Sequence, residues 1–189
     1  VATDSSGNVV ISGYTGGNLS GTNKGNGDAF VAKYSPAGAL LWKKQPGSTN
    51  TDYSNGVATD SSGNVVISGY TNGDFGGPNQ GLYDAWVAKY SPAGALLWEK
   101  QLGTTSTDLS NGVATNSSGN VLISGRTGGN LGFLDKGGED AFVAAYGPNG
   151  TLLWVRQVGT DQDDVSCGVA VDGSGNVFLS GSIETPYCF

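Results

Sequence analysis

The chain has 189 residues, 33 of them glycine, and is 37% hydrophobic: enough length for one ordinary domain, which must pack with small side chains and tight turns. Nine basic residues and a net charge of −7 argue against nucleic-acid and anionic-membrane surfaces, whose binding leans on lysine and arginine. Histidine is absent, which removes the commonest general base and zinc ligand, and no run approaches the ~20 apolar residues of a membrane helix.

The opening stretch "VATDSSGNVVISGYT" returns at Val57, at Val113 as "VATNSSGNVLISGRT" and at Val169 as "VAVDGSGNVFLSGS", 56 residues apart each time. In chain order each repeat reads as four short strands. The first is "GVATD", the second "NVVISGYT", the third "DAFVAKYS" or its variants, and the fourth "ALLWKKQ", "ALLWEKQ" or "TLLWVRQ". Valine, isoleucine and aromatics suit a pleated surface. "DSSGN" joins strands one and two as an Asx-turn whose glycine takes a positive φ. "SPAG" (or "GPNG") joins strands three and four, with proline presetting φ. Both links are short, so the strands are expected to be antiparallel neighbours. The longer links join strand two to three and strand four to one.

A four-stranded meander repeated at this length predicts an all-β fold, a β-propeller of four-stranded antiparallel blades. The boundaries are 1–56, 57–112 and 113–168, with half of a fourth blade over 169–189. The stretch "GVATDSSGNVVISGYT…GDAFVAKYSPAGALLW" resembles the SBBP repeat, a seven-bladed β-propeller family, and more distantly NHL-type blades. The resemblance implies a secreted or cell-surface bacterial protein and brings no catalytic residues with it. Three and a half blades fall short of the about four to eight of a usual ring. The expectation is a segment of a larger ring, completed by further blades of the same parent chain or by another subunit.

Alternate loops of a meander share a face, so the two long loops lie together, and that face is expected to bind. Asp52, Asp108 and Asp164, read as lying in the four-to-one loop, are candidate ligand groups; the competing reading is a loop-ordering Asx-turn. Phe75, Tyr83 and Phe133 stand in long loops where the first repeat has none of them, and exposed there they would stack on a sugar or anchor a protein partner. Asp28, Asp84 and Asp140, which start strand three, read as buried caps rather than cation ligands. Asp4, Asp60 and Asp172 in the "D-x-S-G-N" turn faintly resemble a calcium loop but lack the further carboxylates and closing glutamate, and Asn116 replaces the aspartate in the third copy. No metal and no cofactor are expected.

Trp42, Trp98 and Trp154 on strand four are expected to pack between neighbouring blades. Lys33 and Lys89, replaced by Ala145, are expected to pair with aspartates inside the blade. Cys167 and Cys188 are a candidate disulfide; strands one and two should pair near Val169 and Leu179, which leaves Cys188 beyond the register unless the "ETP" stretch folds it back. The functional expectation is a non-catalytic scaffold, extracellular or on the cell surface, whose loops recognise protein or glycan. The alternative is a lectin with repeated sites between blades. A polysaccharide-active enzyme comes third, because the positions that break the repeat carry no acid–base pair.

Overall fold

The computed structural model describes residues 1–132, 137–184 and 188. The described residues form strands and turns only. The first blade is β1 (Ala2–Thr3), β2 (Val9–Thr15), β3 (Asp28–Tyr34) and β4 (Leu40–Lys44). The second is β5 (Asp52–Thr59), β6 (Val65–Thr71), β7 (Asp84–Tyr90) and β8 (Leu96–Leu102). The third is β9 (Asp108–Thr115), β10 (Val121–Thr127), β11 (Asp140–Tyr146) and β12 (Leu152–Val158), followed by a pair, β13 (Val165–Val171) and β14 (Val177–Ser182). Each four-stranded sheet is an antiparallel meander in sequence order. This is the predicted β-propeller architecture.

The turn chemistry explains the tight ends. Asp4 accepts bonds from the N–H groups of Ser6 and Asn8 at 2.9 and 3.0 Å. Asp60, Asn116 and Asp172 repeat this pattern. Gly7, in the same turn, has φ +75° and lies against Pro36 of the other short turn, so the two short links do share one face.

Strand three alternates between two neighbours, which is why apolar residues occupy both of its sides. Trp86, Ala88 and Tyr90 face the first blade, packed with Val10, Ala29 and Val31. Ala85 and Val87 face the third blade, packed with Val121, Ile123 and Phe142. The core therefore lies between blades. At the third joint it thins to Leu122, Val143 and Ala145 with Val169, Val171, Val177 and Trp154 around them.

Strand one is longer than the sequence suggests. It starts at Asp52 and Asp108, so these residues begin a strand rather than sit in a loop. The cause is a β-bulge. The register skips Asn55, Asn111 and Cys167, with pairing intact at Ser54, Ser110 and Ser166 on one side and at Gly56, Gly112 and Gly168 on the other. The bulge re-aims the Asn55 and Asn111 side chains at the next blade. The Asn55 amide donates to the Ser110 carbonyl and the Asn111 amide to the Ser166 carbonyl, both at 3.0 Å. In the last copy Cys167 occupies the bulge and is joined to Cys188 with Cα atoms 5.4 Å apart. Val169 pairs with Leu179 as expected, and the disulfide forms because Cys188 returns to the bulge rather than to the ladder.

Candidate functional site

The long loops gather on one face and are stapled across each joint. The Asp52 N–H donates to the Gly27 carbonyl at 2.9 Å, Asp108 to Tyr83 at 2.7 Å and Asp164 to Glu139 at 2.6 Å. Each two-to-three loop is thus fixed to strand one of the following blade.

The aspartates expected to hold ligand are consumed by this framework. Asp52, Asp108 and Asp164 are buried. Asp52 accepts from the Ser48 N–H at 2.7 Å, from the Ser48 hydroxyl and from the Thr71 hydroxyl. Asp108 accepts from Thr104, and Asp164 from Thr160, through the same N–H and hydroxyl pair. Burial pushes the Asp52 and Asp108 carboxyls above the ordinary value, opposed by these donors and reinforced by the neighbouring charges of Asp28 and Asp84. Their oxygens face the protein, so they order the loop instead of presenting a ligand surface.

Asp28, Asp84 and Asp140 hold a second clasp. They accept from the amides of Gln45, Gln101 and Gln157 at 2.9, 2.9 and 2.8 Å. The same glutamines accept from the N–H groups of Leu19, Phe75 and Leu131. Gly47, Gly103 and Gly159 leave room for these carboxylates, since a Cβ at any of them would collide with Asp28, Asp84 or Asp140.

This clasp also corrects the expectation for Phe75. The ring is 3% exposed and stacks on Trp86 with centroids 4.2 Å apart. Phe75 is the second-repeat form of an apolar position held by Leu19 and Leu131, and in this blade it is buried with the core residues Trp86 and Val31. Phe133 lies outside the described residues. Tyr83 is half-buried and does stand on the long-loop face.

Tyr83 belongs to an array that the sequence reading did not assemble. Tyr14 stacks on Tyr53 at 4.6 Å, Tyr53 on Tyr70 at 4.8 Å, and Tyr83 meets Tyr70 edge-on at 5.5 Å. Tyr53 and Tyr70 are direct cross-strand partners. Tyr14, at the same place on β2, reaches Tyr53 across the first joint. It lies flat because Gly27 has no side chain: a Cβ there would run into the ring. Burial, with Tyr53 and Tyr83 adding, pushes the Tyr70 phenol upward, so that phenol stays uncharged at neutral pH.

In the third blade the array changes character. Arg126 replaces the tyrosine at Tyr70's place, Leu109 the one at Tyr53's and Glu139 the one at Tyr83's. Arg126 and Glu139 form an ion pair at 2.7 Å, with about a quarter of each side chain exposed (23%). The face therefore carries a run of aromatic faces and hydroxyls followed by a paired charge. The signal in the sequence was the triple Tyr14, Tyr70, Arg126 at one repeat position, where a framework residue would not change.

Elsewhere the surface is committed or plain. A cleft of about 330 Å³ lies between the first two blades, lined by Lys24, Lys44, Asp74, Tyr90 and Glu99 among others. Among the described residues, no three of histidine, cysteine, aspartate or glutamate gather as metal ligands. The "D-x-S-G-N" carboxylates are engaged: Asp4 and Asp60 each meet a lysine, Lys33 and Lys89, at 2.9 Å.

Three comparisons bear on the chain. The family described as β-propeller repeat, SBBP, matches residues 41–76 and 153–186. Both matches run from strand four of one blade into strand two of the next, so the family unit straddles a blade joint. An uncharacterized WD repeat-containing protein, L264, of Acanthamoeba polyphaga mimivirus is 29% identical over 77% of this chain and 13% of its own length. The regulatory protein FlaEY of Caulobacter vibrioides is 27% identical over 80% of this chain and 18% of its own. The chain thus spans less than a fifth of either relative. A crystal structure of a protein of unknown function from Bacteroides caccae aligns with 94% of this chain and 50% of its own, at 14% identity and TM-score 0.49. The SBBP matches cover two stretches, and the 56-residue period with its four-stranded antiparallel sheets makes the chain an array of β-propeller repeats.

Proposed function

We propose that this chain is a non-catalytic recognition module whose long-loop face, centred on Tyr14, Tyr53, Tyr70 and Tyr83, binds a glycan or protein partner without a cofactor. Propeller repeats build binding and scaffold modules. The observation that supports this particular face is the tyrosine array itself. It runs across a blade joint, keeps aromatic faces and hydroxyls together, and breaks the repeat where the surrounding framework does not. Aromatic faces with polar tips suit ligands that are both apolar and hydrogen-bonding, as sugar rings and peptide surfaces are. The array does not recur in the third blade, which favours one asymmetric site over repeated sites between blades. The Cys167–Cys188 disulfide supports an oxidising location, outside the cell or on its surface.

The test is binding of the chain and its Tyr53→Ala/Tyr70→Ala variant to an immobilised oligosaccharide panel. Retention by the wild type and at least about tenfold weaker retention of the variant, about 1.4 kcal/mol, is the expected result. Retention that survives in the variant but fails with Asp74→Ala/Glu99→Ala moves the site to the blade cleft and supports the lectin reading. A silent panel makes the partner a protein. A photo-crosslinker at position 14 must then capture a polypeptide from native extract in a Tyr70-dependent way, and failure there refutes the proposal.

A further inference from the structure

The cleft of about 330 Å³ between the first two blades has walls of opposite charge. Lys24 and Lys44 stand on the first-blade wall, Asp74 and Glu99 on the second-blade wall, and Tyr90 and Leu96 line it as well. The Lys24 ammonium donates to the Gly47 carbonyl at 3.1 Å. Glu99 lies across Gly76, where a Cβ would come within 2.9 Å of its Cγ. Asp74 accepts from the Asn79 N–H at 2.8 Å.

The lysines and the acids do not neutralise one another. The ion pairs among the described residues are Lys33–Asp4, Lys89–Asp60 and Arg126–Glu139, and none of them joins the two walls. The cleft thus holds two cations apart from two anions.

The acids belong to this joint. Asp74 stands where the other repeats have Asn18 and Asn130, and Glu99 where they have Lys43 and Val155. The turn does not need the charge, because Asn18 accepts from the Asn23 N–H at the same 2.8 Å. The strand does not need it either, since β4 and β12 form with lysine and valine at that place. At the next joint the corresponding positions are Gln80 and Lys100 against Asn130 and Val155, one cation and no acid. Two acids introduced together opposite two lysines, with no duty in the framework, point to a ligand.

Tyr90 adds a polar group to the same cleft. It is 4% exposed, its ring lies 6.3 Å from that of Trp42, and its hydroxyl makes no hydrogen bond among the described residues. Burial pushes its phenol upward and the Glu99 charge adds to this, so it stays a neutral donor.

The charge pattern selects the ligand class. An anion would suit the lysines and be repelled by the acids, and a cation would meet the reverse. A molecule carrying both charges satisfies both walls. Ligand pockets run from about 300 to 1,000 Å³, so this one admits something small. We propose that the cleft between the first two blades is a second binding site, for a zwitterion of dipeptide size, with its carboxylate on Lys24 and Lys44 and its ammonium on Asp74 and Glu99. None of Tyr14, Tyr53, Tyr70 and Tyr83 lines this cleft, so the site is additional to that of the tyrosine array.

Calorimetric titration of the 189-residue chain with glycylglycine, N-acetylglycylglycine and glycylglycinamide tests this. The expected result is saturable binding of glycylglycine, weakened about fivefold by capping either end, since each end meets two partly exposed charges. Glu99→Gln should reduce the preference for the free amine and keep that for the free carboxylate; Lys44→Gln should do the opposite. Absence of saturable binding, or equal binding of the free and capped peptides, overturns the proposal. So does either substitution if it weakens all three peptides equally. Maltose bound more tightly than glycylglycine, and insensitive to both substitutions, assigns the cleft to sugars and overturns it too.

Discussion

Lys89 and Asp60 meet at 2.9 Å with only 3% of each side chain exposed. Such a pair gives weak net stability, but removing one partner leaves a buried charge uncompensated. The third blade shows how the site is neutralised, with Asn116 and Ala145 in the same two places. Lys89→Ala should therefore cost about 3 kcal/mol. The double change Asp60→Asn/Lys89→Ala should recover most of that loss, because it recreates a combination this chain already uses. Urea midpoints of the two variants check this; a double variant as unstable as the single one would refute it. The pairing itself was legible in the sequence, since lysine and aspartate recur together. Which aspartate was not, because three of them recur at the same period in the first two repeats and only the register puts Lys89 beside Asp60. Phe75 failed for a related reason. It reads as an exposed loop aromatic until it is aligned with Leu19 and Leu131, and its burial depends on a stack with Trp86 that no local pattern announces.

At the scale of strands and turns, the joint between blades depends on a tryptophan laid over a glycine. The Trp98 indole approaches the place a Cβ on Gly150 would occupy to 2.9 Å, and Gly150 has φ +83°. Alanine there is opposed twice, by backbone conformation and by the ring. Gly150→Ala should destabilise by about 1–3 kcal/mol, whereas Gly38→Ala, with φ +80° and open space around it, should cost only the conformational part, about 1 kcal/mol. Equal losses in thermal unfolding would show that the indole contact contributes nothing. The turns, their glycines and strands two to four were readable because proline, glycine and alternating apolar residues mark them locally. The start of strand one was not. The bulge at Asn55 and Asn111 shifts the alternation by one residue, so a continuing strand looks like a loop, and Asp52 and Asp108 look free when they are buried. The tyrosine array was hidden similarly, because Tyr14 and Tyr53 come from different blades and meet only when the joint closes.

Across the whole molecule, two sets of carboxylates respond to acid in opposite directions. Lys33 and Asn8 hold the Asp4 carboxyl well below its ordinary value of 3.8. Burial works to raise Asp60, but Asn64 and Lys89 outweigh it and hold that carboxyl low as well. Groups lowered on folding contribute stability that is complete above 3.8 and is lost as pH falls through their folded values. Asp52 and Asp108 are the reverse: burial raises them, so their ionisation costs stability as pH rises from 3.8 through their folded values, and protonation relieves that cost. Stability should therefore increase as pH is lowered from neutrality toward 3.8 and decrease below it. General charge repulsion, at a net −7, pushes the first limb the same way. Salt separates the two causes, because it screens exposed charges and leaves buried ones largely unscreened. Urea midpoints measured across this range at about 1 M salt, where the screening length is ~3 Å, should still rise on mild acidification. They should rise less in Asp52→Asn, which lacks one of the raised carboxyls. A rise that salt abolishes would assign the effect to the surface and leave the buried aspartates of the long-loop framework without a part in it.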